Sequence, residues 1–203
     1  MLIGNLTAIG FLKIYDPITN EVFVDKTNAI HFENLSEALA QSIANNSVGK
    51  IYAMAFGNGG TTVDSTGLIA YNPPNVIGQN ANLYNPTYAK VVDNNSAANV
   101  DPSRNKLSVL HTSGKPYTDI LISCLLDYGE PAGQQAFDNA VDTNGPFVFD
   151  ELGIKVWNGS ADNLKLITHV VFHPTQKSLN RQIQIDYTIR IQALTTISSS
   201  GSA

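Results

Sequence analysis

The most regular pattern in the chain lies near its carboxyl end, where Ile183, Ile185, Tyr187, Ile189 and Ile191 alternate with Gln182, Gln184, Asp186, Thr188, Arg190 and Gln192. Successive side chains of a strand point to opposite faces, so this alternation predicts a long strand with one buried and one polar face. Such a strand belongs in an antiparallel sheet of a sandwich. A second period-two run places Ile51, Ala53 and Ala55 on one face and Tyr52, Met54 and Phe56 on the other. Both faces are apolar, which predicts a central strand covered on both sides.

Other segments extend the picture. Phe11 to Tyr15 and Val22 to Val24 flank the turn-forming Asp16-Pro17-Ile18-Thr19-Asn20 and predict a hairpin. Further strands are predicted at 68–71, 88–92, 107–111, 117–126, 147–149, 154–157 and 166–172. One helix is predicted over about residues 34–45. Leu35, Leu39 and Ile43 recur on one of its faces, Asn34 is placed to cap its first turn with Glu37 completing a capping-box-like pair, and Asn45-Asn46 supply a stop. The fold class expected is therefore mostly β, an antiparallel β-sandwich of jelly-roll-like kind with one short helix. A single domain spans 1–194 and carries a long loop-rich insertion around 72–116; the Ser-rich tail 195–203 is expected to be ordered only by neighbours.

Composition sharpens this reading. The chain has 203 residues, of which 43% are hydrophobic and only 14% charged. Low charge leaves little repulsion between neighbouring copies and favours packing into an assembly. A net charge of −5, with the basic residues scattered, points away from nucleic acid, and no stretch approaches a membrane span. The amino terminus lacks the basic segment and unbroken apolar run of a secretory signal. Cys124, the single cysteine, sits in an apolar run and reads as a buried thiol.

Candidate chemistry is sparse. His169 and His173 lie four apart, but on a strand that spacing is about 13 Å, too far for one metal ion. His31 and His111 stand in other segments without a cysteine or carboxylate cluster, and read as surface or core residues. The glycine-rich run Gly57-Asn58-Gly59-Gly60-Thr61-Thr62 lacks the Lys-Ser/Thr of a phosphate-binding loop and reads as a turn whose glycines supply unusual dihedrals. Asp138, Asp142, Asp150 and Glu151 match no calcium loop and read as solvated or turn-capping acids. Trp157, Tyr71, Tyr84 and Tyr88 show no regularly spaced stacking platform, so a carbohydrate-binding module is a secondary reading. No catalytic residue, cofactor or metal is expected.

Three segments, in order, resemble tailed-bacteriophage virion proteins. The helix followed by Lys50 to Gly60 is similar to the opening of the baseplate-attachment (amino-terminal) domain of phage tail fibre and tail-collar proteins. Phe147-Val148-Phe149-Asp150-Glu151-Leu152-Gly153-Ile154 is similar to the Glu-(Ile/Leu)-Gly-Leu segment of such domains, and Leu166 to Lys177, followed by the final strand, is similar to the segment that ends them. The resemblance implies a structural subunit of the virion, in the tail, neck or baseplate, acting by packing against other virion proteins and copies of itself; a head decoration protein is the alternative. Glu151 and Lys177 are the candidates for interface or intersheet contacts, with Gly57, Gly59 and Gly153 as structural positions. The insertion between Tyr71 and Tyr117, and the lack of a repetitive shaft and receptor-binding tip, depart from a true fibre, so a host glycan is not indicated as partner.

Overall fold

The computed structural model describes residues 2–134 and 145–197. Two long strands open it. β1 (Leu2–Tyr15) turns at Asp16, whose carboxylate accepts from the backbone of Ile18 and Thr19, into β2 (Val22–Ile30). Helix α1 (Phe32–Ile43) follows, then β3 (Ile51–Gly57), β4 (Thr61–Val63), β5 (Ile69–Tyr71), β6 (Pro86–Val91), β7 (Lys106–His111), β8 (Tyr117–Leu126), β9 (Val148–Ser160), β10 (Asn163–Leu166), β11 (Thr168–Gln176) and β12 (Ile183–Ile197). Among the described residues the chain is mostly β with one helix, as the periodicity predicts.

Antiparallel pairing runs β6-β3-β9-β11-β2-β1-β12-β8-β7, with β10 beside β9, so one curled sheet supplies both walls of the sandwich; β4 and β5 form a separate hairpin. The walls meet at one corner, where β11 and β2 share only the pairs Thr168↔Ile30 and His169↔Ala29. Side chains from both walls fill a single core, among them Ile185 and Tyr187 of β12, Cys124 of β8, Met54 of β3 and Ile154 of β9. The predicted alternation holds in β12. Ile183, Ile185, Tyr187 and Ile189 are buried, while Gln184, Asp186, Thr188 and Arg190 lie half-buried on the outer face.

The strand from Ile51 is covered on both sides, since Tyr52 to Phe56 are all buried. One face meets the main core; the other receives Leu83 of the 72–116 segment, which packs with Ala55 and Leu166. That segment is thus part of the body: it supplies the second cover of β3 and, in β6 and β7, both end strands of the sheet.

Several boundaries differ from the sequence-based expectation. α1 begins at Phe32, capped by His31, whose Nδ1 accepts from Asn34 N at 3.2 Å. Asn34 instead lies inside the first turn, buried, and donates through Nδ2 to Leu166 O at 2.8 Å. The physical reason is where the preceding strand ends: His31 N still donates to Ile167 O, so the helix starts one residue after the ladder stops. Glu37 pairs with Lys165 at 2.7 Å rather than closing a capping box. Leu35 is buried, but Ile43 is 85% exposed because the last turn overruns the core. β1 begins far upstream of Phe11, and β12 runs on through Thr195–Ile197, paired with β1 as far as Leu2↔Ile197. The stretch 195–197 is therefore strand rather than tail; residues 198–203 lie outside the described residues.

Candidate functional site

The acidic pair on β9 organises the densest polar cluster. Asp150 and Glu151 are adjacent, so a strand sends them to opposite faces, yet both are buried, at 1% and 0% exposure. The glycine-rich turn after β3 reaches both of them. Asp150 accepts from Gly60 N (2.8 Å), Thr61 N (2.8 Å) and Thr61 Oγ1 (2.5 Å). Glu151 accepts from Gly59 N (3.1 Å) and Asn85 N (2.8 Å) on Oε1, and from Tyr84 N (2.9 Å) on Oε2.

His169, on the neighbouring strand β11, completes the set. Its Nδ1 accepts from Asn75 N at 2.7 Å, which leaves the ring proton on Nε2 to donate to Glu151 Oε2 at 3.0 Å. Four donors thus converge on one carboxylate. Burial pushes the Glu151 carboxyl up, but the His169 N–H and the backbone N–H groups of Asn85, Tyr84 and Gly59 outweigh it and hold the group below the ordinary carboxylate value. For Asp150 the balance reverses: burial dominates its own hydrogen bonds, and the charge of Glu151 adds to it, so its carboxyl is raised.

The glycines here serve close approach. A Cβ on Gly57 would stand 2.5 Å from both Asn85 O and Glu151 Oε1, one on Gly59 2.7 Å from Asn85 N, and one on Gly153 2.4 Å from Leu166 Cδ1 and 2.7 Å from Thr168 O. None of the three has the positive φ that the turn reading assigned to the loop glycines. Backbone must come within reach of a buried carboxylate or a neighbouring carbonyl, and a side chain would fill that space.

Lys177 lies 1% exposed just beyond β11 and donates to Ser178 O (2.9 Å), Gln134 Oε1 (3.1 Å) and Tyr128 O (3.4 Å), the last two from the segment after β8. It therefore ties one wall to the other. Lys90 of β6 does the same, donating to Leu125 O at 2.6 Å and pairing with Glu130. Glu151 and Lys177 resolve as contacts within the subunit; with no more than 1% of either exposed, neither offers a surface to a neighbour.

The remaining candidates are scattered. His173 is exposed beside the Tyr71 hydroxyl at 3.2 Å, whereas His169 four residues earlier is sealed inside. His31 is buried and its Nε2 meets Gly78 O at 2.9 Å; His111 is exposed and touches Thr118 Oγ1 at 3.0 Å. Trp157 packs against Tyr52 and Tyr88 against Phe56, so these rings serve the body, while Tyr71 and Tyr84 stay 54% and 44% exposed. Cys124 is fully buried, and burial pushes its thiol up to about 12. Asp138 and Asp142 lie outside the described residues. No group of three or more metal-ligating side chains comes together among the described residues.

Two features had no signal in the sequence. One is an apolar groove of about 270 Å³ at the mouth between the walls, beneath α1, lined by Leu35, Leu39, Ile51, Val109, Ile120 and Val156. The other is Asn28 on β2, whose carboxamide is sealed from solvent with neither Oδ1 nor Nδ2 hydrogen-bonded. Such an unmet group costs about 1–3 kcal/mol. Comparison with protein-family models, with curated proteins and with solved structures gives no match to this chain.

Proposed function

We propose that the chain is a non-enzymatic structural subunit of a tailed-bacteriophage virion, at the tail, neck or baseplate, working by packing against other virion proteins and against copies of itself. The observation that carries this reading is the open apolar groove beneath α1. A contiguous second groove at the same helix is lined by Leu6, Ala8, Phe32, Leu35, Leu39 and Ile191. Leu6, Phe32 and Val109 rim the two at 67%, 61% and 70% exposure. Apolar surface of this kind is unfavourable on a free monomer in water and becomes favourable once a partner covers it.

The polar groups support the same reading by being spent. The carboxylates, histidine and lysine that could do chemistry at Glu151, His169 and Lys177 are consumed in locking loops and walls together. The segments that resemble virion proteins are those that build this lock, from the Gly57–Gly60 turn through Glu151 and Gly153 to Lys177.

Association of the purified protein, alone and with particle components, tests the proposal by size exclusion and native mass spectrometry. The wild type is expected to self-associate or enter particles, and the double variant Phe32→Glu, Val109→Glu to stay monomeric with unchanged β-rich circular dichroism. A wild type that is strictly monomeric and never associates with particles overturns the reading.

A further inference from the structure

Over residues 2–9, β1 pairs with β12 alone; β2 joins its other edge only from Gly10↔Asn28 onward, and the last two residues of β2 turn to β11. Among the described residues, one edge of this stretch therefore has no strand beside it. Which backbone groups lie on that edge follows from one hydrogen bond. Antiparallel strands turn the N–H and C=O of alternate residues toward each neighbour. Ala193 N of β12 donates to Pro116 O at 2.8 Å, on the β8 side, so its register partner Leu6 turns its own N–H and C=O away from β12. Gly4 and Ala8 do the same, because the register runs unbroken from Leu2↔Ile197 to Tyr15↔Gln184.

Exposed strand edges are usually guarded by a lysine, a proline, a bulge or a covering group. The end strand β7 has such a guard, since the Asn94 carboxamide meets both Leu107 N and Leu107 O, at 2.6 and 3.1 Å. Residues 4–9 have none: the stretch holds no charge, no proline and no register shift. Its side chains are apolar where they matter. Leu6 is largely exposed and lines, with Ala8, Phe32, Leu35, Leu39 and Ile191, the groove of about 200 Å³ beside α1.

We propose that this edge pairs with the same edge of a second copy, antiparallel about a two-fold axis at Leu6, so that the sheet continues from one subunit into the next. The inference rests on the reading that copies of the chain pack together, and it names the surface and the geometry. A second copy fits because the stretch is complementary to itself. Leu6 faces Leu6 of the second copy, while Gly4 and Ala8 face its Ala8 and Gly4. The backbone groups of all three pairs point at one another, for about six main-chain hydrogen bonds. Paired residues of an antiparallel ladder share a face, so Leu6 of the second copy comes to lie beside Leu6 over the groove and covers apolar surface that a monomer leaves to water. No charges meet along the seam, although each body carries a net charge of −5. The pairing stops at Gly10, where Asn28 already holds the edge, and the isologous contact closes as a dimer.

The test is native mass spectrometry of the full-length protein, with amide hydrogen exchange at high and low concentration. A dimer, or an even-numbered assembly of dimers, is expected, in which the Leu6 and Ala8 amides exchange slowly and become fast on dilution. Leu6→Pro removes an N–H that faces away from β12, so the ladder within the subunit is kept, yet dissociation of the dimer should become about tenfold or more easier. Leu6→Lys keeps that N–H but sets like charges face to face on the axis, and should weaken the dimer as well. Thr195→Pro, at an outward position on the opposite edge of the same two strands, should leave it unchanged. A dimer that survives both Leu6 variants but is lost in Phe32→Glu, Val109→Glu overturns this inference and leaves the proposed function standing. Leu6 and Ala8 amides that exchange equally fast at both concentrations overturn it too. So does a wild type that is monomeric throughout, in which case entry into particles decides the proposed function separately.

Discussion

Glu151 Oε2 stands 3.0 Å from His169 Nε2, with both side chains shut off from solvent, and the two residues sit on strands that pair side by side. The same carboxylate gathers backbone N–H groups from two separate loops, so it is the common acceptor for the turn after β3 and the approach to β6. Replacing it with alanine leaves three backbone N–H groups of partly buried hydrogen bonds, and a buried histidine N–H, without their acceptor. Glu151→Ala is therefore expected to destabilise the fold by about 3–5 kcal/mol, the range for removing one partner from a buried charged network. Urea denaturation followed by tryptophan fluorescence checks this, since Trp157 lies on the same strand as Glu151.

The two neighbouring acids respond to pH with opposite sign. Glu151 has its folded pKa lowered below the ordinary glutamate value of 4.5, so its contribution is fully present above that value and is lost as pH falls through the depressed one. Asp150 has its folded pKa raised above 3.8, so it costs stability progressively as pH rises from 3.8 through the raised value. The stability gap between wild type and Glu151→Gln should thus narrow on acidification from pH 6 to about 3. For Asp150→Asn the variant should gain on wild type as pH rises over the same interval. Urea midpoints of the three proteins at several pH values measure both slopes.

Much of this site could not be read from the chain, and the reasons are physical. The alternation in Ile183–Ile191, the doubly apolar Ile51–Phe56 run and the apolar surroundings of Cys124 are local patterns, and the structure places all three as those patterns predict. The Glu151–His169 contact depends on the register between β9 and β11, which no local pattern encodes. Asp150 and Glu151 suggested outward or turn-capping acids; Asp150 does cap a turn, but Glu151 is buried because backbone donors from 59, 84 and 85 converge on it. The first nine residues of β1 were missed since their strand character comes from pairing with β12, at the far end of the chain.

Glycine substitutions distinguish close approach from backbone freedom. Gly153→Ala puts a methyl group 2.4 Å from Leu166 Cδ1 and 2.7 Å from Thr168 O, and a ladder carbonyl cannot retreat without breaking its strand. A loss of about 1–3 kcal/mol is expected, as for overpacking a tight interior. Gly67→Ala serves as the control: its φ is +85° with open space around the Cβ, so it should show backbone strain alone, about 1 kcal/mol. Thermal melts of the two variants rank them.

Cys124 gives a direct measure of how tightly the shared core is sealed. Burial raises its thiol to about 12, and the thiolate is the species that reacts. A maleimide added to the native protein at neutral pH should leave it unmodified for as long as the fold persists, and modify it fully in denaturant. Mass spectrometry reads the result, and fast labelling of the native state would show that the walls part at β8.

Lys177 tests whether the walls are tied by a charge. Burial lowers its pKa from 10.5 to about 8, against the opposing pull of Asp127 and Glu130. A base whose folded pKa is depressed is harder to keep charged in the folded state, so below about 8 the ammonium imposes its full cost, and between 8 and 10.5 the unfolded chain holds more protons than the folded one. Stability contributed by this residue should therefore rise across that window. In Lys177→Met the cost of burying a charge disappears, but Gln134 Oε1 and the carbonyls of Ser178 and Tyr128 lose their donor. The two effects oppose each other near neutral pH, where a buried ion replaced by an apolar side chain of similar length often comes out close to even. The discriminating quantity is the slope: wild type should gain on Lys177→Met between pH 8 and 10.5 in urea denaturation, and parallel curves would mean that the lysine holds its proton in the folded protein as firmly as in the unfolded chain.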